Sequence, residues 1–170
     1  NFNMKNKFKN LRGLIIGCGS IGNRHLNNLK NLGIDDISIF DTDTKLLNST
    51  SKKFSVKKFN DLRSALSSKP DFSIICTFPD SHIKIAKSCI KSNSHVFIEK
   101  PLSSNTKDVH NMLNTTRTKN LKVAVGYNLR FDQGLNLLKK KIQQGVIGTP
   151  ISVLIKFGFN IQFWRPGTNY

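Results

Sequence analysis

Residues 11–16 form a short, largely apolar run that leads directly into Gly17-Cys18-Gly19-Ser20-Ile21-Gly22. The run predicts a buried strand, and the stretch that follows predicts a turn, then a helix that stops at Gly33. A G-x-G-x-x-G spacing lodged between strand and helix constrains the fold more than any other feature of the chain. Gly17 allows the tight turn. Gly19 lets the backbone approach a pyrophosphate that a Cβ would strike. Gly22 lets the helix pack closely on the strand. The helix N-terminus adds unpaired N–H groups and a partial positive charge suited to phosphates. Gly17, Cys18, Gly19, Ser20, Ile21 and Gly22 are therefore candidate dinucleotide-binding residues, against the alternative of a glycine-rich turn that holds no ligand.

Strand and helix patterns keep alternating downstream. "DISIF", "SVKKF", "DFSIICT", "HVFIEK" and "KVAVGYNLRF" read as strands. "KLLNSTSKKF", "NDLRSALSSKP", "PDSHIKIAKSCIKSN" and "NTKDVHNMLNTTRTKN" read as helices, the third with Ile83, Ala86 and Ile90 along one side. This alternation predicts an α/β fold, a Rossmann-type doubly wound parallel sheet covered by helices. Residues 1–131 are expected to form it. After Phe131, "DQGLNLLKKKIQQGVIGTP" predicts another helix and "ISVLIKFGFNIQF" a long strand. Residues 132–170 are thus expected to begin a second α/β domain that the sequence leaves truncated.

Asp41 ends the second strand, 24 residues beyond Gly17. An acid about 20 residues past the fingerprint accepts hydrogen bonds from the adenosine ribose hydroxyls and repels a 2′-phosphate, which favours NAD over NADP. The alternative is that Asp41 or Asp43 caps the next helix, and each can hold one role. Thr77, Pro79 and His82 lie where "CTFPDSH" leaves a later strand, at the carboxyl edge that binds ligands in open α/β sheets. Thr77 and Pro79 are candidate cofactor contacts. His82, in the first turn of the next helix, is a further candidate, with a structural role as the alternative. "EKP" occupies the same kind of edge. Glu99, the only glutamate of the 170 residues, stands beside Lys100, whose ammonium can stabilise charge developing on a substrate oxygen. Glu99 could orient that lysine or contact the nicotinamide-side ribose. A surface ion pair is the alternative for both.

The net charge of +17 permits anionic partners, but the lysines are spread out and not interleaved with aromatics, so a nucleic-acid surface is disfavoured. No apolar run reaches the ~20 residues of a membrane span, and no secretory signal is evident, so a cytoplasmic protein is expected. Cys18, Cys76 and Cys89 lack metal spacing and read as reduced thiols; no metal site is expected.

Taken together, "LIIGCGSIGNRH", "CTFPDSH", "HVFIEKPL", "VAVGYNLRF" and "GVIGTPISV" resemble the Gfo/Idh/MocA oxidoreductases, which include inositol and nucleotide-sugar dehydrogenases. The resemblance implies a Rossmann domain followed by an α/β domain on an open antiparallel sheet, and a homo-oligomer. It implies NAD(P) in the first domain, with Lys100 as the catalytic-site lysine acting on a sugar, nucleotide-sugar or cyclitol. The family also uses an aspartate and a histidine from the second domain. No residue here matches them, and His25, His82, His95 and His110 are not assigned to that role. "WRPGTNY" resembles a segment of the sugar-modifying branch and makes Trp164 and Arg165 candidate substrate contacts. Asn128 and Arg130 are further candidates, or else pack between domains. A non-catalytic dinucleotide sensor on the same fold is the rival reading, and a basic nucleic-acid-binding protein a more distant one.

Overall fold

The computed structural model describes residues 8–158 and 160. The chain divides into two units, the first ending at Tyr127 and the second starting at Asn128. In the first, strands β1 (Gly13–Ile16), β2 (Ile37–Phe40), β3 (Lys57–Phe59), β4 (Phe72–Ile75), β5 (His95–Ile98) and β6 (Val123–Val125) alternate with helices α1 (Ser20–Asn31), α2 (Thr44–Phe54), α3 (Leu62–Ser67), α4 (Pro79–Lys91) and α5 (Val109–Thr118). Every strand pairing is parallel, in the order β3-β2-β1-β4-β5-β6. This is the doubly wound order, and it places the topological switch point between β1 and β4.

The pleat sends alternate side chains of the central strands to opposite faces, and both faces are covered. Leu14, Ile16, Ile75, Val96 and Ile98 pack with Ala65 and Leu66 of α3, Ile83, Ala86 and Ile90 of α4 and Met112 of α5. Ile15, Ile37, Ile39 and Ile74 pack on the other face with Leu26 and Leu29 of α1 and Leu47 of α2. Each Leu, Ile, Val or Met side chain among them that is fully buried contributes roughly 1.5–3 kcal/mol. The α4 stripe of Ile83, Ala86 and Ile90 is thus the core face that its helical spacing predicts.

Local chemistry sets the ends of the helices. Gly33, at φ +82°, stops α1. Asp43 caps α2 by accepting from the N–H groups of Lys45 and Leu46 at 2.8 and 3.1 Å, and Asp61 caps α3 through the Ser64 N–H at 2.8 Å. By contrast α1 has Gly19 at its N-cap and no side-chain cap, so its first N–H groups are left for another acceptor.

Two stretches differ from the sequence expectation. "KVAVGYNLRF" is a strand only over Val123–Val125, and Asn128–Phe131 turns into a 3-10 helix. Its neighbour β5 ends at Ile98, so the ladder runs out after the Gly126 N–H bonds the Ile98 carbonyl at 2.8 Å. In the second unit, α6 (Gln133–Gln143) is capped by Asp132 through the Leu135 N–H at 2.9 Å. The strand expected from Ile151 does not form across residues 151–158, which take no regular structure. Alternating β-branched residues make a strand only when a neighbour supplies a ladder, and no described strand pairs there. Among the described residues, no helix is long and apolar enough to cross a membrane.

Candidate functional site

The carboxyl ends of β1, β2, β4 and β5 carry the sequence-predicted groups. At the end of β1, Gly17 has φ +100°, and a Cβ there would come within 2.8 Å of the Cys76 backbone. Gly22 is tighter still: a Cβ would stand 1.9 Å from the Gly17 carbonyl oxygen. The turn and the seating of α1 on β1 therefore both need glycine. Gly19 differs, because a Cβ there would meet nothing within 4 Å. Its surroundings are open, as required if a phosphate is to reach the backbone and the uncapped start of α1. Ser20 and Ile21, in the first turn, are exposed, whereas Cys18 is buried. Beside the loop, Cys18, Gly19, Ser20 and Asn23 on one side and Leu46, Ser49, Thr50 and Lys53 of α2 on the other line a groove of about 270 Å³.

Asp41 grips this loop. One carboxylate oxygen accepts from the Cys18 N–H at 2.6 Å and the other from the Asp43 N–H at 2.8 Å. Asp43, not Asp41, caps α2. A carboxylate has about four lone-pair positions, so Asp41 retains acceptor capacity for ribose hydroxyls. Burial and the Asp41 charge push the Cys18 thiol up to about 12. Burial first, then Glu99, also raises the Cys76 thiol. Both cysteines therefore sit at this edge as neutral thiols.

At the end of β4, Thr77 and Ser81 share a 2.7 Å hydroxyl hydrogen bond, and Pro79 opens α4. Phe78, between Thr77 and Pro79, is 80% exposed. His82 turns inward: it is 1% exposed, with Nδ1 3.0 Å from the Pro101 carbonyl and Nε2 3.0 Å from the Thr77 carbonyl. Both ring nitrogens thus face protein acceptors.

At the end of β5, Lys100 is exposed. Glu99 Oε1 lies 2.7 Å from His25 Nε2 of α1, and Oε2 accepts from the Lys100 backbone N–H at 3.2 Å. The carboxylate is thus engaged by a histidine 74 residues away. The His25 ring also meets Phe97 edge-on, with centroids 5.4 Å apart. A signal for His25 did exist: it lies one turn beyond Gly22, beside Leu26 and Leu29 on the sheet-facing side of α1.

Asn128 and Arg130 lie exposed on the 3-10 turn of the second unit. Trp164 and Arg165 lie outside the described residues. Among the described residues no cluster of His, Cys, Asp or Glu could hold a metal ion.

Known proteins extend the likeness. The family described as "Oxidoreductase family, NAD-binding Rossmann fold" (Gfo/Idh/MocA) matches residues 11–127. Myo-inositol 2-dehydrogenase of Thermotoga maritima is 34% identical over 141 residues, which cover 80% of this chain and 42% of that protein. Inositol 2-dehydrogenase/D-chiro-inositol 3-dehydrogenase of Lacticaseibacillus casei is 29% identical, covering 82% and 42% of the two chains. The WlbA dehydrogenase of Bordetella pertussis, solved in complex with NADH and UDP-GlcNAcA, superposes with a TM-score of 0.74 at 24% identity, covering 79% of this chain and 43% of that one. That last likeness concerns the fold alone. The chain spans less than half the length of each of these relatives.

Proposed function

This chain belongs to the Gfo/Idh/MocA family of oxidoreductases, and on that premise we propose that it binds NAD and serves a dehydrogenase acting on a cyclitol or sugar hydroxyl. The observation that carries the reading is the exposed Lys100 at the end of β5. It lies on the edge of the sheet where the glycine loop opens α1. The relatives named for inositol oxidation support a polyol substrate, and a nucleotide-sugar is the second class.

The Gly17–Gly19 backbone and the start of α1 hold the pyrophosphate. Asp41 takes the ribose hydroxyls with its remaining lone pairs and disfavours a 2′-phosphate. Thr77 and Pro79 line the cleft, and Glu99 closes its nicotinamide side. Bound nicotinamide supplies the acceptor for the hydride leaving the substrate C–H. Lys100 donates to the substrate oxygen and stabilises the negative charge that grows there as the hydroxyl proton departs. The base that takes this proton is assigned to no residue of this chain. Asn128, Arg130, Trp164 and Arg165 are kept as candidate substrate contacts. Residues 132–170 are read as the start of a substrate or oligomerisation domain, in a cytoplasmic homo-oligomer.

The test uses protein expressed from its full reading frame, titrated with NAD and then assayed for NADH formation with myo-inositol and with UDP-sugars. NAD binding with turnover of either class is the expected result. NAD binding with no turnover of any cyclitol, sugar or nucleotide-sugar would favour a non-catalytic sensor. Failure to bind NAD would overturn the reading altogether.

A further inference from the structure

Lys100 is bracketed by two residues, each held by a histidine from a different helix. On its N-terminal side, Glu99 is fixed twice. Its backbone N–H bonds the Ile75 carbonyl at 2.9 Å, and its carboxylate meets His25 Nε2 at 2.7 Å while also accepting the Lys100 N–H at 3.2 Å. On its C-terminal side, the Pro101 carbonyl faces His82 Nδ1 at 3.0 Å, and the same ring reaches the Thr77 carbonyl at 3.0 Å. His25 belongs to α1, the helix opened by the glycine loop. His82 belongs to α4, the helix opened by the Thr77 turn.

We propose that His25 and His82 are positioning residues that clamp the backbone on either side of Lys100, so that its ammonium stays aimed at the substrate oxygen. The proposal rests on the reading of Lys100 given above. The chemistry of the partners sets what each ring must do. A carboxylate and two carbonyls are acceptors only, so every bond needs a proton on the histidine nitrogen. His25 must donate from Nε2. His82 must donate from Nδ1 to hold Pro101, and a ring with a single proton serves only one of its two carbonyls. His82 is also 1% exposed, so its ring is shielded from water and a bond lost there is costly. Lys100 itself is exposed, and the backbone on either side of it sets where its side chain starts.

Amide side chains separate this clamp from simple packing. A glutamine amide reaches about where Nε2 stands, and an asparagine amide about where Nδ1 stands. At position 25, His25→Gln therefore keeps the essential donor and His25→Asn loses it. At position 82 the order reverses: His82→Asn keeps the bond to Pro101, and His82→Gln keeps only the bond to Thr77. Turnover is measured per NAD-binding site, which removes unfolded molecules from the count, in protein from the full reading frame. His25→Asn and His82→Gln are expected to lose roughly 10- to 100-fold in kcat, the scale of a misplaced catalytic group. Their counterparts should stay within about 3-fold, and NAD affinity should change little in all four.

In a Lys100→Met background the same substitutions should cost almost nothing further, because they act through Lys100. Amide exchange at Glu99 and Lys100 provides a readout independent of activity. It should rise in His25→Asn and His82→Gln and not in the other two. The same order of amides at both positions, a loss that persists in the Lys100→Met background, or unchanged exchange would each overturn the clamp. A wild-type protein without turnover would instead overturn the proposed function, and exchange would still decide the clamp.

Discussion

Replacing Asp41 tests the loop and the cofactor preference together. Its two carboxylate oxygens hold unequal partners. The Cys18 N–H, at 2.6 Å, belongs to a residue that is 1% exposed, whereas the Asp43 N–H, at 2.8 Å, belongs to an exposed one. Asp41→Ala leaves the buried donor without an acceptor, at a cost of about 1–3 kcal/mol, while water replaces the acceptor at Asp43 for about 0.5–1 kcal/mol. The sum, roughly 1.5–4 kcal/mol, is a large share of the 5–15 kcal/mol typical of a folded domain, and the melting temperature should fall by on the order of 10 °C. Asp41→Asn keeps one oxygen, which should turn to Cys18, so it should cost only about 1 kcal/mol. Both changes remove the charge that repels a 2′-phosphate. NAD affinity should therefore fall about tenfold while NADP affinity holds or rises. Scanning calorimetry and titration of both cofactors at matched ionic strength read these outcomes. The salt must be fixed because a chain of net charge +17 attracts any phosphate. Equal melting temperatures for Ala and Asn, or an unchanged preference for NAD, would refute the reasoning.

Three other outcomes follow from the same edge and its surroundings. Phe78→Ala should leave the melting temperature unchanged, because the ring is 80% exposed, yet weaken NAD or substrate binding about tenfold if the ring is covered by a ligand; unaltered binding constants would exclude that role. Cys18, with its thiol held up at about 12, and Cys76, raised by burial and Glu99, should resist alkylation by iodoacetamide at neutral pH in the native protein; rapid native labelling, read by mass spectrometry, would contradict their burial. Asp71 is held below its usual 3.8, first by the Arg12 backbone N–H and then by the Arg12 guanidinium. Its contribution is therefore present above that value and lost as pH falls through the lower folded-state value. Asp71→Asn should lessen the drop in melting temperature on acidification, and an identical acid profile would show that the pair does not matter.

Much of the fold was legible because it is written in local pattern. The apolar run before Gly17, the glycine spacing, the α4 stripe and the Asp caps each depend on neighbours within a few residues. Asp41 could be singled out from its distance to the fingerprint, but its hold on the Cys18 N–H could not, because that bond joins two strands side by side in the sheet. The role of Glu99 was the hardest to see. Adjacency suggested Lys100 as its partner, and the fold also brings His25 across from α1. His82 looked like a cleft residue from its place in "CTFPDSH". Only the packing of α4 against the turn after β5 shows that its ring is enclosed between two carbonyls. The strand expected from Ile151 did not form across the described residues 151–158, because alternation describes which face a strand would bury and supplies no partner for it.

Lys100→Met, with the protein expressed from its full reading frame, tests the central claim most directly, since it keeps much of the side-chain length and removes the charge. Turnover should fall by roughly 10²-fold or more, the scale of losing one preorganised electrostatic donor, while NAD affinity and melting temperature stay near those of the wild type. Lys100→Arg should restore turnover only in part, because a planar fork does not replace a compact point charge. Normal turnover by Lys100→Met together with a lowered melting temperature would make "EKP" a structural element alone and contradict the account.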